Sequence, residues 1–70
     1  MFGEKEHKKI GFNILRERRL KGMTQEELAF TAGISRPRLS AIERGTTTLT
    51  LEKLMMIADA LGVDYRELLE

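Results

Sequence analysis

The chain has no cysteine or tryptophan, one histidine, one proline and no long apolar run. Without cysteine, neither a disulfide nor a thiolate metal site can form, and one histidine argues against a zinc site. No segment approaches the roughly 18 apolar residues of a membrane span. The first nine residues have mixed charge and lack the apolar stretch of a signal peptide. These absences predict a soluble cytoplasmic protein with no metal and no cofactor.

The length of 70 residues predicts a single small domain. A domain of this size buries only about 60% of the surface that its unfolded chain exposes, so its stability is marginal. Small domains are usually stabilised by disulfides, metals or a partner chain. Because the composition excludes the first two, we expect oligomerisation.

Glycines divide the chain into five segments, several of which carry apolar residues at helical spacing. No segment alternates apolar and polar residues as a half-buried strand does. Thr24 with Glu27, and Asp64 with Glu67, have the spacing of capping boxes at helix starts. An all-α fold of five helices is therefore predicted, with helices near residues 6–21, 24–33, 35–44, 50–61 and 64–69.

Residues 25–44 have the pattern of two helices joined by a short turn that contains glycine. Ala29 is small enough for the two helices to cross closely, and Gly33 can adopt the positive φ that the turn requires. The apolar positions predicted to be buried in this segment are Leu28, Ala32, Ile34, Leu39 and Ile42.

This segment resembles the helix-turn-helix of the Cro/C1-type (XRE) family of transcriptional regulators. Ordered matches extend from about residue 10 to residue 69, and they include Ile14–Arg18, Met23–Ala29, Ile42–Gly45 and Leu61–Val63. The resemblance implies a five-helix, lambda-repressor-like DNA-binding domain over residues 10–69, preceded by an N-terminal arm of residues 1–9. It also implies a double-stranded DNA operator as the partner.

The resemblance implies that the third predicted helix is the recognition helix, and its outward face, with two arginines and no carboxylate, is compatible with a groove lined by phosphates. Recognition helices place their N-terminal residues against base edges in the major groove. Proline cannot donate a side-chain hydrogen bond, so any readout by Pro37 must be apolar contact. The expected base-reading residues are Arg36, Pro37, Arg38, Ser40 and Ala41.

Other polar residues of the motif are expected to bind backbone phosphates. The start of the second helix suits a phosphate, since free backbone N–H groups and the helix dipole point outward there. The resemblance implies phosphate contacts for Gln25 and Arg44. The expected phosphate-binding residues are Thr24, Gln25, Ser35, Arg44, Thr46, Thr47 and Thr48. The resemblance further implies a partly buried ion pair between Arg18 and Glu43.

The last two predicted helices carry more apolar residues than one small core needs. We expect a twofold dimer interface there, formed by Leu49, Met56, Ile57, Val63, Tyr65 and Leu69. Met55 is expected in the core, and His7 is expected to be a solvated surface group. Scattered exposed apolar residues would be the simpler interpretation.

The expected function is a homodimeric transcriptional regulator that binds a pseudo-palindromic operator. The subtype would be a restriction–modification controller, or a small phage or plasmid repressor. An antitoxin or anti-repressor that mainly binds protein is the alternative. No catalytic residue set is present, so an enzyme is not expected, nor is a small-molecule ligand.

The net charge of +1 hides an uneven distribution. Residues 1–45 hold ten basic and six acidic side chains, whereas residues 46–70 hold two and five. The basic part coincides with the expected DNA-facing half of the chain.

Overall fold

The computed structural model describes residues 2–70 and contains four α-helices and one 3-10 helix. The helices are α1 (Glu4–Leu20), α2 (Gln25–Ala32), α3 (Arg36–Arg44), α4 (Leu51–Leu61) and the 3-10 helix Tyr65–Leu69. No strand occurs in this part of the chain, so the all-α class is confirmed. The count of five helices is not confirmed as such: four are α-helices, and the last segment is a 3-10 helix, with an i to i+3 hydrogen bond from Glu67 N–H to the Asp64 carbonyl.

The helix starts are fixed by side-chain caps. Thr24, Ser35 and Thr50 each accept a hydrogen bond from the backbone N–H three residues later. Gly33 ends α2 with φ of 75°, a left-handed conformation that glycine adopts without strain. Because these caps and the Gly33 turn fix where the helices begin and end, the connections are short and the helices stay in close contact.

The core lies between the helices, with α1 packed against α3 and the 3-10 helix, and α2 packed against α3 and α4. Its most completely buried large side chains are Ile10, Ile14, Leu28, Leu39, Leu54, Ile57 and Leu68. The buried Asn13 side chain donates to the Leu68 carbonyl at 2.9 Å, which ties the 3-10 helix to α1. This polar contact was not predicted.

The segment expected as an N-terminal arm is helical from Glu4 onward. The Glu6 carboxylate accepts the Gly3 N–H at 2.9 Å, so local capping extends the helix toward the N-terminus. His7 is half-buried, and its Nε2 accepts the Leu49 N–H at 3.1 Å. The expectation of a solvated His7 is therefore wrong, because tertiary packing supplies a hydrogen-bond donor and the edge of the Phe2 ring.

Two residues expected at a dimer interface belong instead to the core. Leu49 and Ile57 are 2% and 0% exposed, so neither can meet a partner. Ile57 shares the buried face of α4 with Leu54 and Leu61, while Leu49, in the loop before α4, belongs to the same core cluster. Conversely, Met55 was expected in the core but is 48% exposed, because it lies beside that face.

Candidate nucleic-acid interface

The α2–α3 unit presents the N-terminal half of α3 to the surface. Ile34 N–H donates to the Ala29 carbonyl at 3.0 Å across the turn, and Ile34 packs against the core. Leu39 and Ile42 are buried on the inner side of α3. The outer side of α3 is therefore held rigidly away from the core.

The residues expected to read bases all lie on accessible parts of α3. Arg36, Pro37 and Arg38 are exposed, while Ser40 and Ala41 are half-buried. The guanidinium of Arg38 lies 3.5 Å from the Thr48 carbonyl oxygen, which directs it toward the loop after α3. Arg36 has no such partner among residues 2–70, so its donors are available to a ligand.

The hydroxyl groups near this surface differ in what they can still donate. Thr24 and Ser35 use their oxygens as acceptors in helix caps, which leaves each hydroxyl hydrogen free. Thr46 instead donates its hydroxyl to the Ala41 carbonyl at 3.2 Å. In this conformation Thr24 and Ser35 can donate to a phosphate, whereas Thr46 cannot. Thr47 is half-buried and Thr48 is exposed on the same loop.

A buried polar network lies behind the surface. Arg18 Nε donates to Glu43 Oε2 at 2.7 Å, and Arg18 Nη2 donates to Glu43 Oε1 at 3.2 Å, so the expected ion pair is present and bidentate. Gln25 Nε2 also donates to Glu43 Oε1, at 2.8 Å. Arg18 reaches the Met23 carbonyl as well. The network joins α1, α2 and α3 directly beneath the surface.

A cleft of about 590 Å³ opens above this network. It is lined by Gln25 from α2 and by Arg36, Ser40 and Arg44 from α3, which sequence reasoning had assigned to DNA contact. Arg44 Nη1 donates to Ser40 Oγ at 2.6 Å, which fixes one wall. Leu15 and Arg19 of α1 also line the cleft, and sequence reasoning missed both. The helical spacing of Arg19 from Leu15 and Arg18 could have predicted that Arg19 faces this cleft.

A second surface of interest is an open groove of about 600 Å³ on α4. Met55 and Met56 line it beside Leu51, with Glu52 and Asp59 at its edges. A smaller adjoining groove reaches Val63 and Tyr65 through Met55. The members of the predicted interface that remain accessible are Met56, Val63, Tyr65 and Leu69, all half-buried.

Two further features were sought in residues 2–70, a metal-ion site and a membrane-spanning helix. Histidine, aspartate and glutamate side chains form no group of three that could hold a metal ion in this part of the chain. Over the same residues, every helix is too short or too polar to span a membrane.

Comparison with known proteins places the chain among transcriptional regulators. The sequence profile of the helix-turn-helix family matches residues 14–68. The chain is 46% identical over 61 residues to the uncharacterized HTH-type transcriptional regulator y4dJ of Sinorhizobium fredii, covering 87% of this chain and 79% of that protein. It is also 44% identical over 48 residues to the control protein C.BamHI of Bacillus amyloliquefaciens, covering 69% of this chain and 59% of that protein.

Solved structures of controller proteins also superpose on this chain. The restriction-modification controller protein C.AhdI from Aeromonas hydrophila superposes with a TM-score of 0.89 at 34% identity, covering 93% of this chain and 94% of that one. The controller protein C.Esp1396I superposes with a TM-score of 0.82 at 38% identity, covering 89% of this chain and 83% of that one. The chain therefore belongs to the Cro/C1-type helix-turn-helix family of transcriptional regulators.

Proposed function

We propose that this protein regulates transcription by binding a pseudo-palindromic DNA operator as a homodimer, with α3 in the major groove. The observation that carries the proposal is the exposed face of α3, which presents Arg36 and Arg44 beside a cationic cleft and carries no free carboxylate. The only acidic residue of α3, Glu43, is buried against Arg18. Such a face suits a groove lined by phosphates.

Base reading would depend on the N-terminal half of α3. Arg36 can donate two parallel hydrogen bonds to guanine O6 and N7, the commonest specific contact. Ala41 can touch a thymine methyl group, and Pro37 can offer only apolar contact. Ser40 accepts from Arg44, so its hydroxyl hydrogen is free for a base or a phosphate. Arg38 lies toward the flank, near Thr48.

Phosphate contacts would surround this helix on both sides. Gln25 has a second amide hydrogen beyond the one given to Glu43, and Arg44 has donors beyond the one given to Ser40. Thr24 and Ser35 add hydroxyl donors at the starts of α2 and α3. Thr47 and Thr48 would contribute from the loop before α4. Phosphate contacts position the protein on DNA without reading sequence.

The dimer would form through the α4 surface and the 3-10 helix. The grooves lined by Met55, Met56, Val63 and Tyr65 leave apolar groups accessible on one side of the molecule. A twofold pair joined there would present two copies of α3, which must lie about 34 Å apart to meet successive major grooves.

Selection of bound sequences from a random DNA pool, followed by titration of the selected duplex, tests the proposal. Arg36→Ala should weaken specific binding by about 1–3 kcal/mol and relax the base preference at one position of each half-site. Arg16→Ala removes the same charge from an exposed site that does not line the cleft, so its base preference should stay that of the wild type.

The selected sequence itself provides a second check. A homodimer predicts two inverted half-sites spaced by about one helical turn of DNA. A single asymmetric site, or no enrichment of any sequence, would contradict the proposal.

We infer that the regulated genes belong to a restriction–modification system. The inference is supported by similarity to proteins named as controllers of such systems. Footprinting on DNA upstream of restriction and methyltransferase genes from the source genome would test it, with protection expected at an inverted repeat in the promoter region.

A further inference from the structure

We propose that DNA-backbone binding extends beyond the helix-turn-helix onto the last turn of α1, where Arg19 binds a phosphate. This inference rests on the proposed function. It concerns a residue outside the α2–α3 unit that would lengthen the protein's contact with one DNA strand.

The position of Arg19 is the first argument. Arg19 lines the same cleft as Gln25, Arg36 and Arg44, which face it from α2 and α3. The turn that carries it is well anchored, because Gly22 N–H donates to the Arg19 carbonyl and Met23 N–H donates to the Arg18 carbonyl, both at 3.0 Å. A DNA strand bound along α3 and the start of α2 would therefore pass Arg19, whose backbone is held in place on α1.

The charge of the cleft is the second argument. Four arginines and two glutamates line it, but Arg18 and Glu43 neutralise each other in the buried ion pair. Three cations, Arg19, Arg36 and Arg44, then face the single remaining carboxylate of Glu26. Such an excess of positive charge at a solvent-open cleft favours an extended anion.

The freedom of the Arg19 guanidinium is the third argument. Arg19 is exposed, and its side chain makes no hydrogen bond or ion pair within residues 2–70. Its neighbour Arg18 has donors committed to Glu43 and Met23 and lies buried. Of two adjacent arginines, one stabilises the fold and the other keeps a planar fork of donors that matches a phosphate.

Arg16 provides a natural comparison on the same helix. It lies one turn earlier, is exposed like Arg19, and has the same charge. Its guanidinium lies 5.9 Å from the Phe12 ring centroid, in a neighbouring groove that Arg19 also lines, but Arg16 itself does not line the cleft. If Arg19 binds a phosphate, replacing Arg19 and replacing Arg16 should change DNA binding by different amounts. If only the net charge matters, the two replacements should have equal effects.

The test measures the binding constant of the full chain for its selected operator duplex and for a scrambled duplex over a range of NaCl concentrations. Arg19→Gln should make the negative slope of log K against log salt shallower by about 0.9, the loss of one phosphate contact. It should weaken binding of both duplexes about five-fold at low salt, leaving their ratio unchanged. Arg19→Lys should recover part of the slope, and Arg16→Gln should keep the wild-type slope.

Three results would overturn the inference: a wild-type slope for Arg19→Gln, equal slopes for Arg19→Gln and Arg16→Gln, or a changed ratio between the duplexes. The first two would mean no local contact, and the third would mean base reading. If the wild type binds no selected duplex, the proposed function fails instead. Since Arg19 is exposed, its replacement should leave the fold intact, and an unchanged thermal unfolding curve will show that the Arg19→Gln variant is folded.

Discussion

Arg18 connects α1 to α3 and to the loop before α2 through donors that point in different directions. Its Nε and Nη2 bind the two oxygens of Glu43, while Nη1 donates to the Met23 carbonyl at 2.9 Å. The side chains of Arg18 and Glu43 are 10% and 4% exposed. Removing one partner of such a pair leaves the other charge buried without compensation.

Arg18→Ala should therefore lower the free energy of unfolding by about 3–5 kcal/mol, measured by urea denaturation. Arg16→Ala, an exposed arginine on the same helix, should change it by less than about 0.5 kcal/mol. Similar losses for the two variants would show that the ion pair does not stabilise the fold.

Asp64 is a second residue whose charge is coupled to local structure. Its carboxylate accepts the Arg66 N–H at 2.9 Å and pairs with the Arg66 guanidinium at 2.7 Å. These hydrogen bonds lower the pKa of Asp64 from 3.8 to about 2. Since the folded pKa is the lower one, the contribution to stability is complete above pH 3.8 and is lost as the pH falls toward 2.

Asp64→Asn should accordingly reduce stability near pH 6 but have little effect near pH 2. Urea denaturation at a series of pH values between these limits measures the difference. Asp59→Asn serves as the control, because the Asp59 carboxylate makes no hydrogen bond in residues 2–70. A difference between wild type and Asp64→Asn that does not depend on pH would contradict the role assigned to the carboxylate.

At the scale of helices, the close approach of α1 to α3 determines where the recognition surface lies. Gly11 of α1 faces the α3 backbone, where a Cβ would collide with the Ile42 carbonyl oxygen and come within 2.8 Å of the Glu43 carbonyl oxygen. Backbone atoms cannot move aside as a flexible side chain can. The absence of a side chain at Gly11 therefore sets the distance between these helices.

Gly11→Ala should destabilise the protein by about 1–3 kcal/mol through overpacking, even though alanine favours helix formation by roughly 1 kcal/mol. Thermal unfolding or urea denaturation measures the effect. The Gly11→Ala variant should also bind DNA more weakly than its loss of stability explains, because α3 would shift.

Gly22→Ala is the matched control for that change. Nothing lies within 4 Å of a Cβ at Gly22, so only its φ of 71° opposes alanine. We expect a cost of about 1–2 kcal/mol from that backbone strain and no additional loss of DNA affinity. A Gly11→Ala variant as stable as the wild type would show that the two helices can separate freely.

At the scale of the whole molecule, the cationic cleft and the apolar grooves of α4 lie on different helices. The cationic cleft is formed by α1, α2 and α3, while α4 and the 3-10 helix carry the grooves bordered by Glu52 and Asp59. An interface on the acidic side would keep the cationic cleft of each protomer free for DNA.

Met55→Glu should therefore disrupt the proposed homodimer by adding charge to the middle of the α4 surface. Equilibrium sedimentation at micromolar concentration should show the mass of two chains for the wild type and of one chain for the variant. Phe30→Glu, at an apolar site that is 88% exposed on α2, should leave the mass unchanged. A wild type that sediments as a single chain would refute the dimer.

Features that depend on near neighbours along the chain follow from the amino-acid sequence alone. Thr24, Ser35 and Thr50 cap helices, and Gly33 ends one, as their local hydrogen bonding and backbone preferences predict. The pattern of the α2–α3 segment was likewise sufficient to identify the family. The pairing of Arg18 with Glu43 followed from that family resemblance.

Features that depend on contacts between residues far apart in the chain follow instead from how the helices pack. Ile57 is apolar like Met55, but which of them is buried depends on what packs against each side of α4. His7 is 42 residues from the backbone N–H that it accepts, and Arg19 meets the cleft only because α1 crosses beside α2 and α3. Helical periodicity identifies the faces of each helix, whereas the packing of the helices determines what each face contacts.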